Sequence, residues 1–393
     1  LFLSTVFLLP KSLIGILMSV IPFVGLISSP CWNILADRYD IHRKIMISCT
    51  LCTILAFLSL PLTGKYFGYS GLFISLTIYS IFNGGIGSLI DNLTINVLNR
   101  KGNSTEFGRQ RLFGTISFGI SIVMIGFIID RLKTLYVMFF AFGIFMGLFL
   151  LVLFLTPARD FKVDHHEEPI TEDIDLVQLG HTSNETSTQS VETNVMVTTP
   201  SPFMKEILNL FTKPRLLLFL FVILLMHMIK TSMSTFLYVF LSEDLKADAK
   251  LLGLSTFVGI TLEIIVFYFG KYILESTFPE VIIIAGGIMS TLRAALYAFF
   301  GLEFGLVKPA SLEIISQVSP SRLRATALGI LAAIESLSTG LGQIVGGLLY
   351  GHFGAIKMFL YSTWIGIFAI TIYIAGLLLQ KRRFHFRSHE CVT

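Results

Sequence analysis

Eleven apolar runs, most of them long enough to cross a bilayer, limit what this 393-residue chain can become. They fall at 13–35 (broken by Pro22 and Pro30), 45–64, 70–98, 112–129, 135–156, 215–241, 251–270, 280–300, 302–318, 326–350 and 357–379. A hydrocarbon core takes roughly 20 residues of helix, and a backbone inside it must satisfy its own polar groups. With 54% hydrophobic and 14% charged residues, the chain holds more apolar surface than a water-facing exterior tolerates. The fold class is an all-α, multi-pass integral membrane protein, with the lipid bilayer as its first partner. Leu1–Leu9, closed by Pro10, is too short to span. It reads as the last turns of a first helix that is largely missing from this chain.

The polar residues sort by position. Residues 157–204 hold nine of the 25 acids but two of the 29 bases, and their Ser/Thr/Asn/Glu-rich composition cannot bury a core. This polar, acidic linker, 157–205, separates an N-terminal bundle, 1–156, from a C-terminal bundle, 206–380, and a basic tail, 381–393. The bases elsewhere gather in short loops: Arg38/Arg43/Lys44, Arg100/Lys101/Arg109/Arg111, Arg322/Arg324 and Lys381-Arg382-Arg383. These fall on one side if every run spans. The positive-inside rule makes that side cytoplasmic, together with the linker and the C-terminus, in the plasma membrane or an internal one. The basic excess is therefore an orientation signal, and no nucleic-acid partner is expected. Between Pro279 and Ser319 there is barely room for two spans and no proper turn, yet two are needed to keep the tail cytoplasmic.

Several tempting motifs have plainer explanations. Cys49-x-x-Cys52 lies in an apolar run, where two small side chains on a helix are expected rather than a redox pair. His165, His166, Glu167 and Glu168 form a solvated run rather than a metal cluster. The sequons at Asn103 and Asn184 fall on the cytoplasmic side, and the one at Asn92 falls inside a span. The spaced glycines of Gly143-x-x-x-Gly147, Gly342-x-x-x-Gly346 and Gly347-x-x-x-Gly351 allow close helix approach. Gly84, Gly85 and Gly87 serve packing by default, or loosen their helix for rocking. Neither a phosphate-binding Gly-x-x-x-x-Gly-Lys-Ser/Thr loop nor a hydrolytic or metal constellation is present, so the chain is not expected to be an enzyme or to hold a cofactor or metal.

The stretch from Asn83 to Gly119 is the most informative. Asp91 and Asn92 sit in a glycine-rich apolar run, the basic turn Arg100-Lys101 follows, and Arg111 opens the next run. Charges inside such segments cost roughly 2.5–3.5 kcal/mol each on insertion scales, so they face a partner or a water-filled path. Glu263, Arg293, His227 with Lys230 one turn on, and Glu335 raise the same question in later spans. Glu303, Lys308 and Glu313 crowd the run at 302–318, while Arg131 and Lys271 can snorkel.

Helices grouped six and six about a long linker, with a charged turn after the second, resemble the major facilitator superfamily. Its signature turn is matched at Asp37, Arg38, Arg43 and Lys44, although Asn33 and Asp40 stand where glycines are expected. Asp91, Phe107-Gly108-x-x-Arg111-Leu112-Phe113-Gly114, Glu263, Leu292-Arg293, Phe304-Gly305 and Pro320-x-x-Leu323-Arg324-Ala325-Thr326-Ala327-x-Gly329 resemble the branch around major facilitator superfamily domain-containing protein 6 and the lactose-permease type. Phe300 replaces a histidine often found there before the glycine at Gly301. The resemblance implies two six-helix bundles rocking about a site at mid-membrane depth.

It also implies roles. The turn residues Asp37, Arg38, Arg43 and Lys44 would latch the halves on the cytoplasmic face. Asp91, Asn92, Arg111, His227, Lys230 and Arg293 would contact a small polar solute. Glu263 would take up the proton with Arg293 as its switching partner, and Glu335 would share in proton coupling and pair with Lys230. Each pair also has a purely structural reading, as a fixed ion pair between helices. The implied function is secondary active transport by alternating access, as proton-coupled symport by a monomer. The alternative is a transporter-like membrane receptor or scaffold that moves nothing, which the departures at Asn33, Asp40 and Phe300 favour.

Overall fold

The computed structural model describes residues 1–39, 41–100, 107–156, 214–257, 280–281, 283–288, 291–292 and 324–390. For 92, 95–100, 107–112, 215, 324–328 and 380–390 the backbone alone is described. The linker, the run at 302–318 and most of 251–270 and 280–300 lie outside these residues. So do Glu263, Lys271, Arg293, Glu303, Lys308 and Glu313.

Every described element is helical: α1 (Phe2–Thr5), α2 (Lys11–Tyr39), α3 (His42–Arg100), α4 (Phe107–Leu132), α5 (Val137–Leu155), α6 (Pro214–Val239), α7 (Arg324–Phe353) and α8 (Ala355–Glu390). A π-turn, Phe240–Asp244, ends α6. Among the described residues seven helices are long and apolar enough to cross a membrane. One of them, His42–Asp91, has 50 residues, more than twice what a core needs.

That segment is a hairpin. Thr63 Oγ1 and Ser75 Oγ lie 2.8 Å apart, and the Phe57 and Tyr79 rings have centroids 5.5 Å apart. A straight helix would separate these pairs by about 18 and 33 Å. The chain reverses at Gly68, whose φ of 57° and ψ of −137° lie where only glycine is at ease. The runs expected at 45–64 and 70–98 are therefore the two arms of α3.

Two expectations need correction. α2 runs unbroken through Pro22 and Pro30, where the sequence suggests a break. Each proline removes a hydrogen bond to the carbonyl four residues earlier, at Met18 and Leu26. Neighbouring helices and local adjustment accommodate such losses inside a bundle. Among the described residues the Gly143/Gly147 pair makes no close crossing: a Cβ at Gly143 would meet the Leu58 methyls at 3.6 and 3.7 Å, and one at Gly147 would meet nothing within 4 Å. By contrast, Gly342 and Gly346 lie against the Met228 backbone and Ser232, so α6 and α7 approach closely, as expected. Gly84 and Gly85 are packing positions, against Ser28 and Trp32.

Among the described residues, burial organises the bundle into three apolar clusters. One joins the two halves, combining Leu17 of α2 with Met233 and Phe236 of α6 and Phe359 of α8. The second belongs to the C-terminal half alone, with Leu220, Ile223, Leu331 and Tyr373. The third belongs to the N-terminal half alone, with Ala36, Met46, Leu89 and Leu153, and it also buries Cys49. The joint cluster includes the ends of α2, α6 and α7 near Lys11, Phe240 and Tyr350, here called the Lys11 face. The N-terminal cluster lies at the opposite, Arg43 face. α8 continues as one helix to Glu390, past the apolar span that ends at Leu379 and into the basic stretch that begins at Lys381.

Candidate functional site

α6 is apolar overall, yet His227, Lys230, Thr231 and Ser234 recur at steps of three and four and so share one helix face. α7 repeats the pattern with Ala332, Glu335, Ser336 and Thr339. These faces meet Pro22 of α2 around a cavity of about 420 Å³. That volume falls within the usual range of small-molecule sites. The cavity lies between the two halves, since Pro22 comes from one and the other lining residues from the other.

Inside it, Glu335 Oε1 lies 3.6 Å from His227 Nε2, with the two side chains 19% and 11% exposed. A carboxylate–imidazole pair can hold or release one proton, and with it one unit of charge. Lys230 lines the same cavity. Both members of the expected Lys230–Glu335 pair line this cavity, and Glu335 meets His227, which sequence reasoning placed only among solute contacts. Thr339 Oγ1 donates to the Glu335 carbonyl at 2.7 Å, and Ser234 Oγ donates to the Thr231 carbonyl at 3.3 Å. Each hydroxyl satisfies its proton within its own helix and keeps lone pairs for a donor on a ligand. The hydroxyls were not among the expected contacts, although the polar step of three and four on two apolar helices is a signal that could have found them, and Pro22 was noted only as a helix breaker.

The other anticipated residues divide. Asp91 is half-buried on the second arm of α3. Asn92 and Arg111 lie on α3 and α4, with only their backbones described, and Glu263 and Arg293 lie outside the described residues. The signature turn is held locally. His42 Nε2 lies 2.9 Å from Asp37 Oδ1, and the Arg38 guanidinium lies 6.0 Å from the centroid of the Tyr39 ring. Arg43 donates from Nε to the Leu153 carbonyl at 3.2 Å and from Nη2 to that of Phe154 at 2.8 Å. It caps the last turn of α5, whose final carbonyls have no partner within the helix. Lys44 is exposed. Asn33, standing where a glycine is expected, donates from Nδ2 to Ser88 Oγ at 2.8 Å and to the Ser29 carbonyl at 2.9 Å. Its amide joins α2 to the second arm of α3.

The architecture has known counterparts. An uncharacterized transporter of Bacillus subtilis, YwbF, is 22% identical over 398 aligned residues, covering 96% of this chain and 88% of that protein. The solved structure of a mutant of the nucleoside transporter NupG superposes with a TM-score of 0.71 at 14% identity, covering 95% of this chain and 93% of that one. A D-xylose-proton symporter superposes with a TM-score of 0.64 at 13% identity, over 93% and 86% of the two chains. At such identities the structures speak for the fold. The family model described as the MFS_1 like family matches residues 2–361. With every described element helical, a solute-sized cavity between two halves and a match over nearly its whole length, this chain belongs to the major facilitator superfamily of membrane transporters.

Proposed function

We propose that this secondary transporter carries out proton-coupled symport of a small polar organic solute by alternating access, acting as a monomer. The observation that carries the reading is the cavity between the halves, with the His227–Glu335 pair beside hydroxyls on α6 and α7. A proton entering the pair changes the charge facing the solute, so occupancy of one site alters affinity at the other. Thr231, Ser234, Ser336 and Thr339 suit a hydroxyl-rich solute. That agrees with relatives named for a nucleoside and for D-xylose with a proton. Asp91, Asn92, Arg111, Lys230 and Arg293 extend the solute contacts in this proposal, and Glu263 with Arg293 forms a second proton-linked pair. The Arg43 face is cytoplasmic by its Lys/Arg excess.

Uptake into proteoliposomes under an imposed pH gradient tests this, with nucleosides, pentoses and other sugars as the panel. The parent protein accumulates a solute only when the gradient is present. Glu335→Gln keeps solute exchange at zero gradient but loses accumulation. Accumulation that survives Glu335→Gln unchanged removes the pair from coupling. A folded protein that moves nothing in the panel points to the receptor reading instead.

A further inference from the structure

At the Lys11 face, charged side chains cross between the halves. Lys11, at the start of α2, donates to Glu243 in the π-turn that ends α6. The next residue, Asp244, accepts from Tyr350 Oη of α7 at 2.6 Å. The Lys11 ammonium lies 5.9 Å from the centroid of the Tyr350 ring, which closes a circuit of four side chains. Below them the backbones touch. A Cβ at Gly15 would fall on the Gln343 carbonyl, and one at Gly347 would come within 2.8 Å of the Lys11 carbonyl.

The two consecutive acids of the π-turn serve one cluster through different partners, Glu243 through Lys11 of α2 and Asp244 through Tyr350 of α7. A π-turn is wider, with hydrogen bonds reaching five residues back, and such turns gather at functional sites. The Leu245 N–H donates to the Phe240 carbonyl at 3.2 Å, one such bond. α6 and α7 also carry the cavity: Thr339 lies about 16 Å along α7 from Tyr350.

We propose that Lys11, Glu243, Asp244 and Tyr350 form a latch that shuts the cavity at the Lys11 face, with the π-turn presenting both acids. The transport role of the latch rests on the function proposed above; its mechanical role does not. Breaking it frees α2 from α6 and α7 at that end and lets the halves part there.

A disulfide reporter tests the latch. A Cβ at Gly351 would lie 3.7 Å from the Ser12 Cβ, close to the usual disulfide spacing. The complete protein, with its four native cysteines replaced by serine, would carry Ser12→Cys and Gly351→Cys and be oxidised with copper phenanthroline. The parent cross-links readily. Lys11→Met, Glu243→Gln and Tyr350→Phe each slow the reaction about fivefold, the shift expected from losing one partly exposed polar contact. Combining Lys11→Glu with Glu243→Lys restores the rate to within about twofold, because the attraction is re-formed. If Lys11→Met fails to fold, Tyr350→Phe, which removes one oxygen, keeps the test. A parent that does not cross-link, or three variants that all cross-link at the parent rate, overturns the latch. The reporter needs no solute. Absent uptake with intact latch effects therefore counts against the transport reading alone, and normal uptake with unchanged cross-linking against the latch alone.

Discussion

The two membrane faces use their polar residues differently. At the Lys11 face, ion pairs, a tyrosine, glycine contacts and an apolar cluster all bridge the N- and C-terminal halves. At the Arg43 face, the contacts described above stay within the N-terminal half: Asp37 to His42, Arg43 to the end of α5, and Asn33 to Ser88. The apolar clusters toward that face are likewise separate, one for each half. Among the described residues, the signature turn that is easiest to recognise, Asp37-Arg38 with Arg43 and Lys44, makes its contacts in one bundle through Asp37 and Arg43, while less conspicuous residues join the two.

This contrast can be broken most forcefully at the backbone crossing. Gly347→Leu would drive a side chain into the Lys11 carbonyl and Gly15. Overpacking there should lower stability by about 3 kcal/mol, read as a fall in melting temperature in detergent. It should also abolish the Ser12/Gly351 cross-link. Arg43→Ala acts at the other face. It removes two hydrogen bonds from a cationic donor to the end of α5 and should cost about 2 kcal/mol, again read by thermal melting. Because that contact lies inside one half, the cross-linking rate should stay unchanged; a slowed rate would show that the faces are coupled.

A subtler comparison restores the expected glycine. Asn33→Gly removes the amide bond to Ser88 and places glycine in a helix, for a loss of about 1–2 kcal/mol. A gain in melting temperature would mean that the Asn33 bond does not hold α2 to α3. The smallest effect belongs to Lys250, whose Nζ lies 4.0 Å from Asp130 Oδ2 with the lysine about half exposed. Lys250→Ala should change stability by less than about 1 kcal/mol and leave the cross-linking rate within experimental scatter. A large effect there would move the latch toward α4.

Much of the fold is legible in the chain because a membrane span is a local property. Twenty apolar residues need no knowledge of their neighbours to favour a helix in hydrocarbon. The hairpin at Gly68 and the helices ending at Tyr39, Leu132, Leu155 and Phe353 all follow from such runs. The prolines of α2 misled for the same reason: a local rule predicts a break, and packing overrules it. The candidate site is legible in part. His227, Lys230 and Glu335 stand out because charge in an apolar helix is conspicuous. Thr231, Ser234, Ser336 and Thr339 do not, because a hydroxyl can bond back to its own helix and cost little in any span.

By itself, the sequence determined that this protein crosses a membrane many times, that nine of its 25 acids gather in one polar stretch, 157–204, and that its bases gather in short segments between apolar runs. Those conclusions need only hydropathy and charge along the chain. Tertiary structure alone decided that His227 meets Glu335, that Pro22 lines their cavity, and that Lys11 reaches Glu243 across the interface of the halves. Which way a helix faces depends on side-chain packing against helices distant in sequence. In a bilayer, where lipid tails are as apolar as the spans, that packing rather than hydrophobicity selects the partners.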